Sequence, residues 1–218
     1  MCFSATASFV AGASLVTIGV ATMKTSRRRV DKPFAAIPVL FGVQQLIEGV
    51  IWLSFRNDLG PLNSIMTYVY SLFAFVLWPI FVPFAMASME PQKWRKQLLY
   101  VVQAVGVTVG VYLLYSHTRS PVVSQIVDRS IVYDNTHFYE TWVLGLYFAS
   151  TIGSCLLSSR RIANLFGVLA LVAAVAAYWV LSASFVSVWC FFAAILSAMI
   201  YFSVRRAAAD LVEDRAGA

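Results

Sequence analysis

Seven apolar stretches, each long enough to cross a bilayer, constrain this chain more than any other feature of its sequence. They lie at about 4–23, 34–55, 64–88, 97–116, 138–158, 163–182 and 185–204. A transmembrane helix needs about 20 apolar residues, and only 12% of the residues are charged, against roughly 25% in soluble domains. The sequence therefore predicts an all-α membrane protein: a seven-transmembrane-helix bundle at 1–206 and a short charged cytoplasmic tail at 207–218.

The 16 Lys and Arg residues divide unequally between the two sides of the predicted bundle. Arg56, Arg119 and Arg129 fall on one side, and all the others fall on the opposite side. Cytoplasmic loops carry an excess of Lys and Arg, so the richer side is expected to be cytoplasmic. An odd number of spans then puts the N-terminus outside. This orientation accounts for the net charge of +6 without a nucleic-acid partner.

The longest predicted loop, on the outer side, has the composition of a β-hairpin. Residues 122–127 and 130–133 are rich in β-branched and aromatic side chains, and Asp128 and Arg129 form a short polar break between them. Two such runs around a polar break are typical of paired strands. A small extracytoplasmic β-hairpin is therefore predicted at about 121–134.

Glu48 is the only acidic residue in the interior of a predicted span, because Glu140 lies at the outer end of the fifth. Gln44, Gln45 and Trp52 lie four residues before it, three before it and four after it, so all four residues share one helix face. Polar groups are costly in lipid and usually face the bundle interior or a cavity. Glu48 is thus a candidate for binding a ligand, a proton or a metal, although a neutral carboxyl could also simply tie helices together.

Other polar and aromatic groups are expected at the same depth near the outer face. Trp179 lies near the end of the sixth span, and Trp189 lies near the start of the seventh. Trp and Tyr also favour membrane interfaces without any ligand, so an aromatic belt is the alternative explanation. The predicted ligand pocket consists of Gln44, Gln45, Glu48, Trp52, Trp179 and Trp189.

The same outer layer contains a set of residue types that bind metals. Its members are Cys2, Glu48, His137, Glu140 and Cys190. His137 and Glu140 would share a face if the fifth helix began early enough, while the other histidine, His117, is expected in the outer loop. Thiolate, imidazole and carboxylate ligands suit zinc, iron or copper. A bound transition metal is the less favoured interpretation, and Cys2 and Cys190 could instead form a disulfide.

Two motifs concern how the helices pack and bend. Pro79 and Pro83 lie four residues apart in the third span, where each removes a helix hydrogen bond. They predict a kink in the cytoplasmic half of that span, which could be a hinge. Gly106 and Gly110 form a GxxxG pattern, which predicts close approach of a neighbouring helix.

Four segments together resemble a family of small bacterial seven-helix membrane proteins of unknown function. They are the opening MCFSATASF, then 44–52, 77–79 and 188–194, and the resemblance covers nearly the whole chain. It implies a multi-pass protein of the bacterial cytoplasmic membrane and supplies no activity.

Two classes of function are compatible with these features. The first is a small-ligand sensor or small-solute transporter with an outward-facing pocket around Glu48. The second is a membrane-embedded enzyme that depends on a metal or a thiol. The first is favoured because complete catalytic constellations are missing from the sequence. The bilayer is the expected partner, and a homo-oligomer or a membrane partner protein is compatible with the sequence.

Overall fold

The computed structural model describes residues 4–127, 130–134, 138, 140–180 and 184–206 of the chain. Its helices follow the apolar stretches of the sequence, and one β-hairpin lies among the described residues. The helices are α1 (Ala5–Thr25), α2 (Lys32–Arg56), α3 (Gly60–Ser71), α4 (Trp78–Met89), α5 (Lys93–Arg119), α6 (Thr141–Leu157), α7 (Arg161–Val180) and α8 (Phe185–Ser197).

Six helical segments of the described residues are long and apolar enough to cross a membrane. They are α1, α2, the joined unit Gly60–Met89, α5, α7 and the extended α8, which continues to Arg206. The remaining helix, α6, has only 17 residues. It begins at Thr141, three residues later than predicted. The predicted tail at 207–218 lies outside the described residues.

The predicted β-hairpin is confirmed. Strands β1 (Val123–Val127) and β2 (Ser130–Asp134) pair antiparallel, with Val127 opposite Ser130 and Val123 opposite Asp134. Most of β1 is exposed, whereas three of the five residues of β2 are buried. The hairpin therefore turns β2 toward the helices, and it packs mainly on α3 and α8.

The two ends of the bundle differ in what closes them. At one end, here called the hairpin end, the strands lie beside the C-terminus of α2 and the N-termini of α3 and α8. At the other, here called the basic end, short linkers join α1 to α2, α4 to α5 and α6 to α7. These linkers and their flanks contain Arg27, Arg28, Arg29, Lys93, Arg160 and Arg161.

The third predicted span is one helical unit interrupted by a π-helical segment, Leu72–Leu77. In a π-helix each carbonyl accepts from the N–H five residues on. For Ala74 that residue is Pro79, which has no N–H to donate. The hydroxyl of Tyr147 donates to the Ala74 carbonyl instead, at 2.6 Å. The change of helix type thus falls directly before the first of the two prolines.

Gly106 of α5 contacts the backbone of this region directly. A Cβ atom built on Gly106 would lie 1.8 Å from the carbonyl oxygen of Pro79, and one built on Gly110 would lie 2.8 Å from Ile80. The close helix approach predicted from the GxxxG pattern is therefore confirmed, and its neighbour is the proline-containing span.

Candidate functional site

The Glu48 carboxyl lies fully inside the bundle, near the hairpin end. Its side chain has no solvent exposure. Oxygen Oε1 accepts a hydrogen bond from Ser187 Oγ of α8 at 2.7 Å and one from Tyr133 Oη of β2 at 3.4 Å. Oxygen Oε2 accepts from Gln45 Nε2 at 3.3 Å. Three elements of the fold therefore meet at one carboxyl group.

A stacked pair of tyrosine rings lies beside this carboxyl group, which the Tyr133 hydroxyl contacts. Tyr70 of α3 and Tyr133 of β2 stack with their ring centroids 4.3 Å apart and their planes 10° from parallel. Tyr70 is fully buried, and Tyr133 is 2% exposed. Aromatic faces attract cations, so a carboxylate beside two tyrosines suits a positively charged group.

Gln44 extends the polar cluster one helical turn further along α2. Its Oε1 accepts a hydrogen bond from the indole N–H of Trp78 at 2.8 Å. Phe41 stacks on the same indole, with the two ring centroids 3.9 Å apart. Because the indole nitrogen only donates, this bond fixes which end of the Gln44 amide faces Trp78. The Cys190 thiol lies close to Gln44, Tyr70 and Glu48.

A second group of hydrogen bonds fastens the hairpin to the helices. Ser124 of β1 bonds Thr67 of α3, with their hydroxyl oxygens 2.7 Å apart, and donates to Asn63 Oδ1 at 3.1 Å. Asn63 Nδ2 in turn donates to Ser54 Oγ of α2 at 3.0 Å. Among the described residues, hydrogen bonds therefore attach the hairpin to the helices at two places. Ser124 of β1 bonds Thr67 and Asn63, a group here called the latch, and Tyr133 of β2 bonds Glu48.

The structure separates the three predicted pocket tryptophans. Trp52 is partly buried, and its indole N–H is enclosed with no hydrogen-bond acceptor among the described residues. Trp189 is 7% exposed, but its N–H donates to the Ala170 carbonyl of α7 at 3.0 Å. Trp179 is 84% exposed. It lines an apolar groove beside Phe148 and Phe185, so its predicted place in the Glu48 pocket is corrected.

The predicted metal ligands do not form a described site. No three His, Cys, Asp or Glu side chains come together within the part of the chain that the structure describes. Cys2 and His137 lie outside that part, so their roles stay predictions. Glu140 precedes α6 with an extended backbone, so the helix does not begin early enough to include Glu140, which was the condition for Glu140 to share a helix face with His137. Cys190 is a buried free thiol.

His117 also differs from expectation. It lies in the last turn of α5 rather than in a loop, and it is 2% exposed. Its Nδ1 lies 2.6 Å from the Leu113 carbonyl, and its ring packs against Phe75. These contacts give His117 a place in the bundle interior near the hairpin end.

The space beside the cluster is small. A cavity of about 40 Å³ lies between α2, α4, α6, α7 and α8, and Trp78, Tyr147, Trp189, Cys155 and Cys190 contribute to its lining. That volume is enough for a water molecule and too small for an organic solute. The Glu48 side chain itself has no solvent exposure in the described conformation.

The basic end has its own buried carboxylate, Glu90, which is 3% exposed. Its Oε2 accepts from the Ser159 backbone N–H at 2.7 Å and from Ser158 Oγ at 3.3 Å, and its Oε1 accepts from the Gln92 N–H. Burial raises the pKa of Glu90, but these hydrogen bonds outweigh it and bring the pKa below its ordinary value. Glu90 therefore joins the linker after α4 to the linker after α6.

A family model described as a family of unknown function, DUF6629, matches residues 1–215. The chain belongs to this family. Searches of curated proteins and of solved structures find no match.

Sequence reasoning found Glu48 and its two glutamines but missed two of the contacts at the carboxyl. The sequence places Tyr133 only within a predicted strand, and Ser187 is a serine near the start of the seventh predicted span. Strand alternation gave a usable signal for Tyr133, because Ile131 and Tyr133 share the buried face of β2. No local signal identifies Glu48 as the group that this face meets.

Proposed function

We propose that this chain is a multi-pass protein of the bacterial cytoplasmic membrane that binds a small solute at Glu48, as a sensor or a transporter. It crosses the bilayer seven times, with the N-terminus and the hairpin outside and the basic end in the cytoplasm. Six helices of spanning length and composition support this arrangement. The 17 residues of α6 reach the lower limit of about 17 residues for a transmembrane helix.

The observation that carries the binding proposal is the position of Glu48. A carboxyl group with no solvent exposure in an apolar span is expensive to keep, and here hydrogen-bond donors come to it from its own helix, from α8 and from the hairpin. Of the three bonds described at the carboxyl, the one from Ser187 is 2.7 Å long, and those from Gln45 and Tyr133 are 3.3 and 3.4 Å long. A solute with its own donor can therefore take the place of a weakly held partner.

The residues around the carboxyl favour a particular class of solute. Glu48 provides acceptor oxygens, and Tyr70 provides the aromatic face that Tyr133 covers in the described conformation. Ammonium groups bind both kinds of surface, and hydroxyl groups bind the first. We therefore propose a small amine or amino alcohol as the solute.

The proposal is tested on purified protein in detergent or nanodiscs with a graded series of probes: methylammonium, ethanolamine and glycerol. At least one probe should raise the unfolding temperature of the wild type, and Glu48→Gln should abolish that rise. Glu90→Gln is the matched control, because it makes the same substitution at the basic end and should keep the rise.

Identical shifts in the wild type, Glu48→Gln and Glu48→Ala would disprove a solute site at Glu48. So would the absence of a shift with every probe of the series. Metal analysis of the same preparation tests the alternative function, since stoichiometric zinc, iron or copper would favour the metal-dependent enzyme.

A further inference from the structure

The hairpin covers the Glu48 site in the described conformation, and β2 supplies the covering side chains. Ser130 and Ile131 are fully buried, and Tyr133 is 2% exposed. Tyr133 reaches past the helix ends to stack on Tyr70 and to donate to Glu48. The hairpin therefore lies between Glu48 and the water at the hairpin end of the bundle.

We propose that the hairpin is a lid and that Tyr133 occupies the position which the solute takes at Glu48 when the lid opens. This inference rests on the proposed function for the identity of the occupant, but the opening itself does not depend on any solute. The Tyr133 hydroxyl is the same kind of donor as a hydroxyl of an amino alcohol. Its 3.4 Å bond is the longest of the three described at the carboxyl.

The latch of Thr67, Ser124 and Asn63 determines how firmly the lid is held. It joins β1 to α3 through hydroxyl and amide groups, while Val123, Ile126 and Val127 of the same strand are exposed. A two-stranded hairpin has little stability of its own. Exposed side chains with few buried apolar contacts are typical of segments that open locally. Strand β1 fits this description, whereas Ile131 and Tyr133 of β2 leave buried positions when the hairpin opens.

Cys190 gives a direct measure of opening. It is a buried free thiol that lies close to Tyr70, the residue on which Tyr133 stacks. A charged maleimide reaches this thiol from water only when the protein opens locally. The rate of Cys190 modification in the full chain, measured by peptide mass spectrometry, reports that opening, and a disulfide across the lid shows how much of it is opening of the hairpin.

Thr67→Cys/Ser124→Cys tests the lid by closing it covalently. The two hydroxyl oxygens are 2.7 Å apart, which places the corresponding Cβ atoms close enough for a disulfide. In the oxidised double variant, the rate of Cys190 modification should fall by a factor of about ten or more, because local opening is blocked. The reduced double variant and Thr67→Cys alone are the controls and should react at least as fast as the wild type, because both weaken the latch.

Tyr133→Phe is the second variant, and it keeps the stacked ring while removing the hydroxyl. Losing one hydrogen bond to Glu48 should speed Cys190 modification roughly two- to tenfold. If the probe series yields a solute, this variant should also bind that solute more tightly. Tyr115→Phe, at an exposed position on α5, should change neither quantity.

Equal modification rates in the oxidised and reduced double variant would overturn the lid, as would a wild-type Cys190 that stays unmodified for hours. Solute binding that fails while crosslinking still protects Cys190 would overturn the proposed function and keep the lid. Solute binding at Glu48 that is unaffected by the crosslink would overturn the lid and keep the proposed function.

Discussion

A methyl group added at Gly106 would clash with backbone atoms of the neighbouring helix. A Cβ there would lie 1.8 Å from the Pro79 carbonyl oxygen, and that backbone is fixed in the helix. Gly106→Ala should therefore lower the free energy of unfolding by about 3 kcal/mol or more, the upper range for overpacking a core. The measurement is thermal unfolding of the purified protein in detergent.

Gly145→Ala is the matched control for this substitution. Gly145 lies in the second turn of α6, is exposed, and has no atom within 4 Å of an added Cβ. Alanine is favoured over glycine in a helix by about 1 kcal/mol, so Gly145→Ala should leave stability unchanged or raise it. Equal losses in both variants would show that the Pro79 contact is not the cause.

Individual residues differ in how much of their role the sequence alone predicts. The sequence alone singles out Glu48, because a carboxyl group in an apolar span costs free energy and usually faces the bundle interior or a cavity. Trp179 could not be placed, because successive residues on a helix point about 100° apart and no local pattern fixes how α7 is rotated against its neighbours. Its 84% exposure is a property of the packed bundle.

Among the elements, the π-helical segment and α6 depend on each other. The Tyr147 hydroxyl satisfies the Ala74 carbonyl at 2.6 Å, where Pro79 cannot. Tyr147→Phe leaves that carbonyl buried without its hydroxyl partner and should cost about 1–3 kcal/mol of stability. Tyr100→Phe, at a half-exposed site on α5, should cost little.

A double-mutant cycle with Pro79→Ala isolates the cause. Alanine restores a backbone N–H that can bond within the helix, so the Ala74 carbonyl would depend less on Tyr147. Tyr147→Phe should then cost less in the Pro79→Ala background than in the wild type, by an amount measurable in thermal or chemical unfolding. Strictly additive effects would contradict this coupling.

At the element level, periodicity and composition predicted the apolar helices closely and the hairpin to within two residues of its observed ends. They did not predict that β2 would turn Tyr133 toward Glu48. Strand pattern shows which residues share a face, but the neighbour of that face depends on where α3, α8 and the hairpin meet. The start of α6 was missed because Phe138 is apolar and yet precedes the helix, packed on Phe75.

On the scale of the whole molecule, Glu90 links separate parts of the basic end. Its folded-state pKa lies below the ordinary value of 4.5, so the carboxylate stabilises the fold above that pH. This contribution is lost as the pH falls through the lower, folded-state pKa. Glu90→Gln should therefore have a lower unfolding temperature than the wild type at pH 7, and the difference should shrink below about pH 4.5.

Gln92→Ala is the control for the pH series. It keeps the backbone N–H that donates to Glu90 and changes only an exposed side chain. Its unfolding temperature should follow the wild-type pH curve. A gap between Glu90→Gln and the wild type that stays constant from pH 7 to pH 4 would show that the Glu90 charge does not stabilise the basic end.

The proposed orientation makes a prediction that depends most on α6. With about 1.5 Å per residue, its 17 residues span about 26 Å, close to the roughly 30 Å of hydrocarbon. In a Cys2→Ser background, an impermeant maleimide should label Gly60→Cys in intact cells. It should label Gln92→Cys and Arg161→Cys only after permeabilisation. Labelling of Arg161→Cys in intact cells would mean that α6 does not cross, because Gln92 and Arg161 would then lie on opposite sides of the membrane.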